Sequence, residues 1–108
     1  MMANSTNSRV YSCNNCRNPV AFKEDLLSKS FVASSGRALM FRNAVNLKVG
    51  DRKERQLITG QFTIADIYCG KCGQVLGWKY FRAHDPRQAY KEGNFIIELA
   101  KIVKGNQT

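Results

Sequence analysis

Two Cys-x-x-Cys pairs, Cys13-Asn14-Asn15-Cys16 and Cys69-Gly70-Lys71-Cys72, constrain this chain more than any other feature. The two intervening residues allow a tight turn that points both sulfurs of a pair at one ion. Two such turns supply four thiolates, which is a closed tetrahedral zinc shell. Gly73 follows the second pair and tolerates positive φ, so backbone N–H groups can fold back toward the sulfurs. Asn14, Asn15 and Asn18 suit the same turn role in the first knuckle. Residues 17–68, 52 in all, separate the pairs, whereas short zinc ribbons use roughly 15–20. The metal would therefore join distant parts of one sheet domain. Structural zinc is worth roughly 10–16 kcal/mol in small peptides, against a total domain stability of about 5–15 kcal/mol, so the apo chain is expected to be loose or unfolded. Iron in the same four-sulfur shell is the chemical rival.

That reading requires reduced thiols. The start, MMANSTNSRVYS, is polar and has no apolar h-region, and no apolar run approaches the ~20 residues of a membrane span. The chain is expected in the nucleus or cytoplasm, not secreted and without a membrane partner. Its 108 residues make about one domain. Residues 1–8 read as a flexible tail, 9–104 as the folded domain and 105–108 as a second short tail.

Seventeen Lys and Arg face eight Asp and Glu, a net charge of +9. This excess favours acidic partners, nucleic acid among them. Only Arg52, Lys53 and Arg55 are crowded, and Asp51 before them and Glu54 among them offset the charge.

Short β-prone segments dominate. Val10–Phe22 carries the first knuckle between two strands, and Glu24–Ser28 reads as one helical turn. Ala38–Val49 has strand character, and residues 51–55 form a charged surface loop. Gln56–Tyr68 is a strand with a bend or bulge at Gly60. Val75–Ala83 is a strand, and Asn94–Val103 reads as another. The whole reads as mainly β, twisted and antiparallel, with one structural zinc held by Cys13, Cys16, Cys69 and Cys72.

Catalytic parts are missing from this reading. The four thiols are committed to metal, so no cysteine remains as a nucleophile. His84, the single histidine, sits beside Asp85 and Pro86 as a surface residue, and Asp66 reads as holding a loop. Trp78 and Tyr80 are two apart and share a strand face. Tryptophan there packs the core or anchors a partner, Phe62 joins that surface if its strand lies alongside, and Gly77 admits close approach of another chain.

The sequence resembles the Yippee-like proteins from Cys13 to about Glu98. The resemblance rests on both Cys-x-x-Cys pairs at this gap, on Gly36, Asn46 and Gly60, and on Ala65-Asp66-Ile67-Tyr68-Cys69. It continues through Gly77-Trp78-Lys79-Tyr80, Tyr90-Lys91-Glu92-Gly93 and Glu98. Met40, where the family usually has Leu, and the less charged stretch from Ala100 depart from the pattern. The resemblance implies two antiparallel sheets, the β-tent, shared with the ligand-binding domain of cereblon and with methionine sulfoxide reductase B. It implies zinc on the four cysteines, no catalytic activity, and nuclear or cytoplasmic work in growth or cell division, including a place in a ubiquitin ligase. In cereblon, tryptophans ahead of the second cysteine pair complete an aromatic cage. The stretch QLITGQFTIADIY has none, so only Trp78 and Tyr80 match that cage. The reductase needs a further cysteine that this chain lacks. The expected function is a non-enzymatic, zinc-stabilised protein-interaction module, with nucleic-acid binding on a basic, aromatic-bearing sheet as the alternative.

Overall fold

The computed structural model describes residues 9–105. The expected tails, 1–8 and 105–108, lie outside the described residues except for Gly105, which is buried and donates its N–H to Val10 O. Ten strands run in chain order: β1 (Val10–Cys13), β2 (Pro19–Phe22), β3 (Leu26–Ala33), β4 (Gly36–Phe41), β5 (Leu47–Val49), β6 (Lys53–Leu57), β7 (Gly60–Cys69), β8 (Val75–Ala83), β9 (Phe95–Glu98) and β10 (Ile102–Lys104). They form two antiparallel sheets. The small one has the order β10-β1-β2. The large one has the order β3-β4-β9-β8-β7-β5, and β6 also pairs with β7.

β7 and β8 are the spine. β7 is rich in β-branched and aromatic residues, which suit a pleated, half-buried surface. Its register with β8 shifts at Thr63/Ile64 and again at Ile67/Tyr68. Its outer edge is served by two short strands in succession. Leu47–Val49 pairs with Cys69–Ile67, and Lys53–Leu57 pairs with Ile64–Gly60.

β4 is buried on both faces of the large sheet. Leu39 and Phe41 point to one side, where Tyr11, Val20, Ala21, Ile67, Leu76, Ile97 and Ile102 complete a core beneath the small sheet. Tyr11 meets Phe41 edge to face at 5.3 Å between ring centroids. Ala38 and Met40 point to the other side and pack with Phe62, Ile64, Tyr80 and Ile96.

Several elements differ from the sequence expectation. The helical turn is a 3-10 turn at Lys23–Asp25, and Leu26 already begins β3 by pairing with Phe41. Residues 53–57 are a strand and not a loop, because β7 offers them an edge. Their charged side chains suit that exposed position, where charge discourages pairing with other chains. Gly60 is no bulge: with φ +139 it closes the β6–β7 hairpin opposite Leu57. The stretch from Ala38 to Val49 divides into β4 and β5. Asn94–Val103 divides into β9 and β10, in different sheets, with a 3-10 turn at Leu99–Lys101 between them.

Gly77 admits a neighbouring backbone, and that backbone is β9 of the same chain. A Cβ at Gly77 would lie 1.9 Å from the Ile96 carbonyl oxygen. Gly77 pairs with Ile97 at the centre of the sheet, so nothing can shift cheaply. Gly77→Ala is expected to cost about 3 kcal/mol or more, as urea denaturation of the zinc-loaded protein would show.

Candidate metal centre

The four cysteines converge where the two sheets meet. Cys13 ends β1 and Cys16 lies in the turn to β2; Cys69 ends β7 and Cys72 lies in the turn to β8. Their sulfurs all lie within 4.8 Å of one another. The closest approaches cross between knuckles: Cys13 Sγ to Cys72 Sγ is 3.6 Å, and Cys16 Sγ to Cys69 Sγ is 3.5 Å. Zn–S bonds of about 2.3 Å put the corners of a tetrahedron about 3.8 Å apart. The residues therefore fit one zinc ion with four sulfur ligands. Such a shell is closed, and the ion supplies a cross-link with no open coordination position.

Both knuckles are built alike. The N–H of Arg17 donates to Cys13 O at 2.8 Å, and the N–H of Gly73 donates to Cys69 O at 2.9 Å. Both turns need a left-handed residue, which is Arg17 (φ 67) in one and Gly73 (φ 81) in the other. The Cys13 N–H donates to Asn18 O, and the Cys69 N–H donates to Gln74 O.

Asn18 and Gln74 also have a role that the sequence reading missed. Asn18 Nδ2 donates to Cys69 Sγ at 3.3 Å, and Gln74 Nε2 reaches Cys13 Sγ at 3.5 Å. Each knuckle thus sends a side-chain amide to the first sulfur of the other. Both amides sit five residues after the first cysteine of their knuckle, and that shared offset was the available signal. Gly70 lets a third segment in: its N–H donates to Asn46 O at 2.8 Å, and a Cβ there would come within 2.7 Å of that oxygen.

In the metal-free protein the thiols are unequal. Burial pushes Cys13 up. At Cys16 the N–H of Asn18 favours the thiolate, but burial and the other thiols outweigh it, and the group is pushed up to about 11. Cys69 falls to about 6: burial opposes ionisation there, and the N–H groups of Cys72 and Lys71 and the Asn18 amide overcome it. Asn15 and the N–H of Gln74 pull Cys72 down. Each close pair therefore joins a cysteine whose pKa is lowered to one whose pKa is raised.

The aromatic residues singled out in the sequence also come together. Phe62 and Tyr80 are tilted at 4.9 Å, and Trp78 meets Tyr80 edge to face at 6.2 Å. Phe62 is 0% exposed and Tyr80 2%, so both are interior while Lys91 stays in place. Trp78 alone of the three is half-buried. Its Nε1 is buried, lies near the Tyr80 oxygen and completes no hydrogen bond. His84 is exposed, with Nε2 2.8 Å from Glu54 Oε1. Asp66 accepts from Lys53 Nζ at 3.1 Å and ties β6 to β7.

Two antiparallel sheets joined by a four-cysteine metal site define a class of zinc domain. The crystal structure of the Mis18 'Yippee-like' domain has this fold, with a TM-score of 0.71 over 92% of this chain and 96% of that one at 15% identity. The family described as Yippee zinc-binding/DNA-binding/Mis18, centromere assembly, matches residues 9–107. Two yippee-like proteins of Arabidopsis thaliana are each 52% identical, over 103 and 104 residues, covering 95% and 96% of this chain and 97% and 98% of theirs. Yippee-like 3 of Danio rerio is 51% identical over 98 residues, 91% of this chain and 82% of its own. The chain belongs to the Yippee/Mis18 family.

Elemental analysis should find one zinc per chain. Metal binding displaces the protons held by Cys13 and Cys16, so apparent zinc affinity is expected to rise with pH and to fall on acidification. The fall should steepen below about pH 6, where Cys69 also takes a proton; competition with a chromophoric chelator across pH would check this. Removing one sulfur-directed amide, by Asn18→Leu or Gln74→Leu, should lower zinc affinity about 10–100-fold in the same assay.

Proposed function

We propose that this chain is a non-enzymatic interaction module whose zinc holds a partner-binding surface in shape. Two features support the non-catalytic reading. The four-sulfur site leaves no ligand position for a substrate, and His84 faces Glu54 on the surface and not a nucleophile. The observation that carries the binding reading is Trp78. A half-buried indole offers a partner a large apolar face already held in place, and tryptophan is enriched among the anchors of interfaces. Nuclear or cytoplasmic work and membership of a ubiquitin-ligase complex are the finer parts of this proposal, and they come from the family resemblance.

A second reading has its own observation. Lys79 and Phe81 alternate with Trp78 and Tyr80 along β8, on its other face. The Arg52 guanidinium stacks 4.0 Å from the Phe81 centroid, and Lys79 Nζ lies 5.0 Å from Phe81 and 4.9 Å from Phe95. Arg52, Thr63, Phe81, Arg82 and Glu92 line a groove of about 630 Å³. Arg52 and Arg82 have no carboxylate partner among the described residues. Unpaired guanidinium groups beside an open ring suit a polyanion with stacking bases, and the family description includes DNA binding.

Capture of partners by the zinc-loaded protein, with and without nuclease and beside folded Trp78→Ala, separates the readings. Nuclease-resistant partners that Trp78→Ala loses support the adaptor reading, and their identities test the ligase role. A folded Trp78→Ala that keeps every partner overturns it. Partners that vanish with nuclease, together with oligonucleotide affinity that falls steeply with salt and drops in Arg52→Ala/Arg82→Ala, establish the second.

A further inference from the structure

Lys91 is a lysine in an unusual place. It is 2% exposed, and lysine is almost never fully buried unless paired. Among the described residues no carboxylate pairs with it. Its Nζ instead lies 5.1 Å from the centroid of Phe62, 5.3 Å from Phe31, 5.5 Å from Tyr80 and 5.8 Å from Tyr90. One hydrogen bond completes the set: Nζ donates to Thr59 Oγ1, at the tip of the β6–β7 hairpin, at 2.8 Å.

The rings come from separate parts of the fold. Phe31 belongs to β3 at one edge of the large sheet, and Phe62 belongs to β7, four strands across. Strands about 4.8 Å apart would put those positions about 19 Å from each other in a flat sheet. Both centroids are within 5.3 Å of one nitrogen, so the sheet curls around this face and makes a bowl. Tyr80 forms its floor. Tyr90, 62% exposed, forms a wall that opens to solvent. The bowl offers an ammonium four negative ring faces and one neutral acceptor. That is a chemistry for recognising a cation by its π contacts.

We propose that Phe31, Phe62, Tyr80, Tyr90 and Thr59 form a binding site for a primary alkylammonium, which the chain fills in cis with Lys91 and which accepts a lysine side chain of a partner when Lys91 withdraws past Tyr90. The single acceptor, Thr59 Oγ1, selects a primary ammonium over a trimethylated one, which has no N–H to donate. Burial holds the Lys91 ammonium below the ordinary lysine range, so the ring faces offset only part of the desolvation. This makes Lys91 a ligand that is displaced more easily than an ion-paired lysine would be. The site shares Tyr80 with the packing of Trp78, but its occupant and its test are different, so failure of one reading is distinguishable from failure of the other.

Chemical rescue tests the proposal. Lys91→Ala empties the site and leaves the rings in place. n-Butylammonium, which reproduces the missing side chain, should raise the melting temperature of zinc-loaded Lys91→Ala saturably. At ten times its Kd for the variant the rise should be about 5 °C or more, and wild type, where the ligand must first displace Lys91, should shift less at the same concentration and respond only at higher ones. n-Butanol and n-butyltrimethylammonium should give much smaller shifts. Equal shifts from butanol, or none from butylammonium in a folded variant, would overturn the proposal. If Lys91→Ala does not fold, NMR of the wild-type protein decides. The ε-methylene protons of a caged Lys91 are shielded by the ring faces and resonate well upfield of the other lysines, whereas an unshifted signal sinks the idea.

Discussion

Four sulfurs within 4.8 Å of one another cannot all ionise without a cation between them, and the rest of this structure depends on that fact. Like charges this close suppress each other's ionisation, and in each close pair of the metal-free protein one cysteine is shifted up and its neighbour down. A divalent metal ion removes the conflict and turns repulsion into a cross-link. The link falls where chain connectivity is weakest. The small sheet combines the start of the described chain, β1 and β2, with its end, β10, and touches the large sheet through one core. The metal fastens the β1–β2 turn directly to the β7–β8 turn, and the amides of Asn18 and Gln74 repeat that connection in hydrogen bonds that cross the ion. Losing the metal therefore frees the two ends of the chain at once.

What could be read from the sequence follows the range of the interactions. The metal ligands were legible because each knuckle is a local object of a few residues with a chemical purpose. β8 was legible for a similar reason, since its composition and alternation favour a buried strand. β6 was not. Lys53-Glu54-Arg55 carries the charge of a loop and becomes a strand only because the edge of β7 is there to pair with it. The end of the chain was half legible: Phe95-Ile96-Ile97 reads as strand, but the break at Leu99–Lys101 that carries Ile102 into the other sheet has no local signature.

The aromatic reading shows the same limit. Phe62, Tyr80 and Trp78 were grouped correctly, yet two of them are interior. Alternation along a strand tells which residues share a face, and it does not tell what covers that face. Here the face that Phe62 and Tyr80 share is closed by the curl of the sheet itself. The small sheet covers part of the other side, and the groove beside Phe81 and Arg82 stays open there. Lys91 was invisible as a site because its partners sit at positions 31, 59, 62, 80 and 90, which only the finished fold brings together.

A cation sits at the heart of each closed face. On one side a metal ion would reconcile four sulfurs at a junction that runs from buried Cys13 and Cys69 to exposed Cys72; on the other an ammonium reconciles a curled sheet with the hollow its curl creates. The two solutions differ in permanence. A four-thiolate metal site is held by charge on both partners and by a closed coordination shell. An ammonium held by ring faces and one hydroxyl has no opposing charge to lose, and its carrier lies at the end of the short Pro86–Lys91 segment, beside an exposed tyrosine. The same architecture thus has a rigid side, fixed by metal, and an exchangeable side, where the occupant is a flexible four-carbon stem.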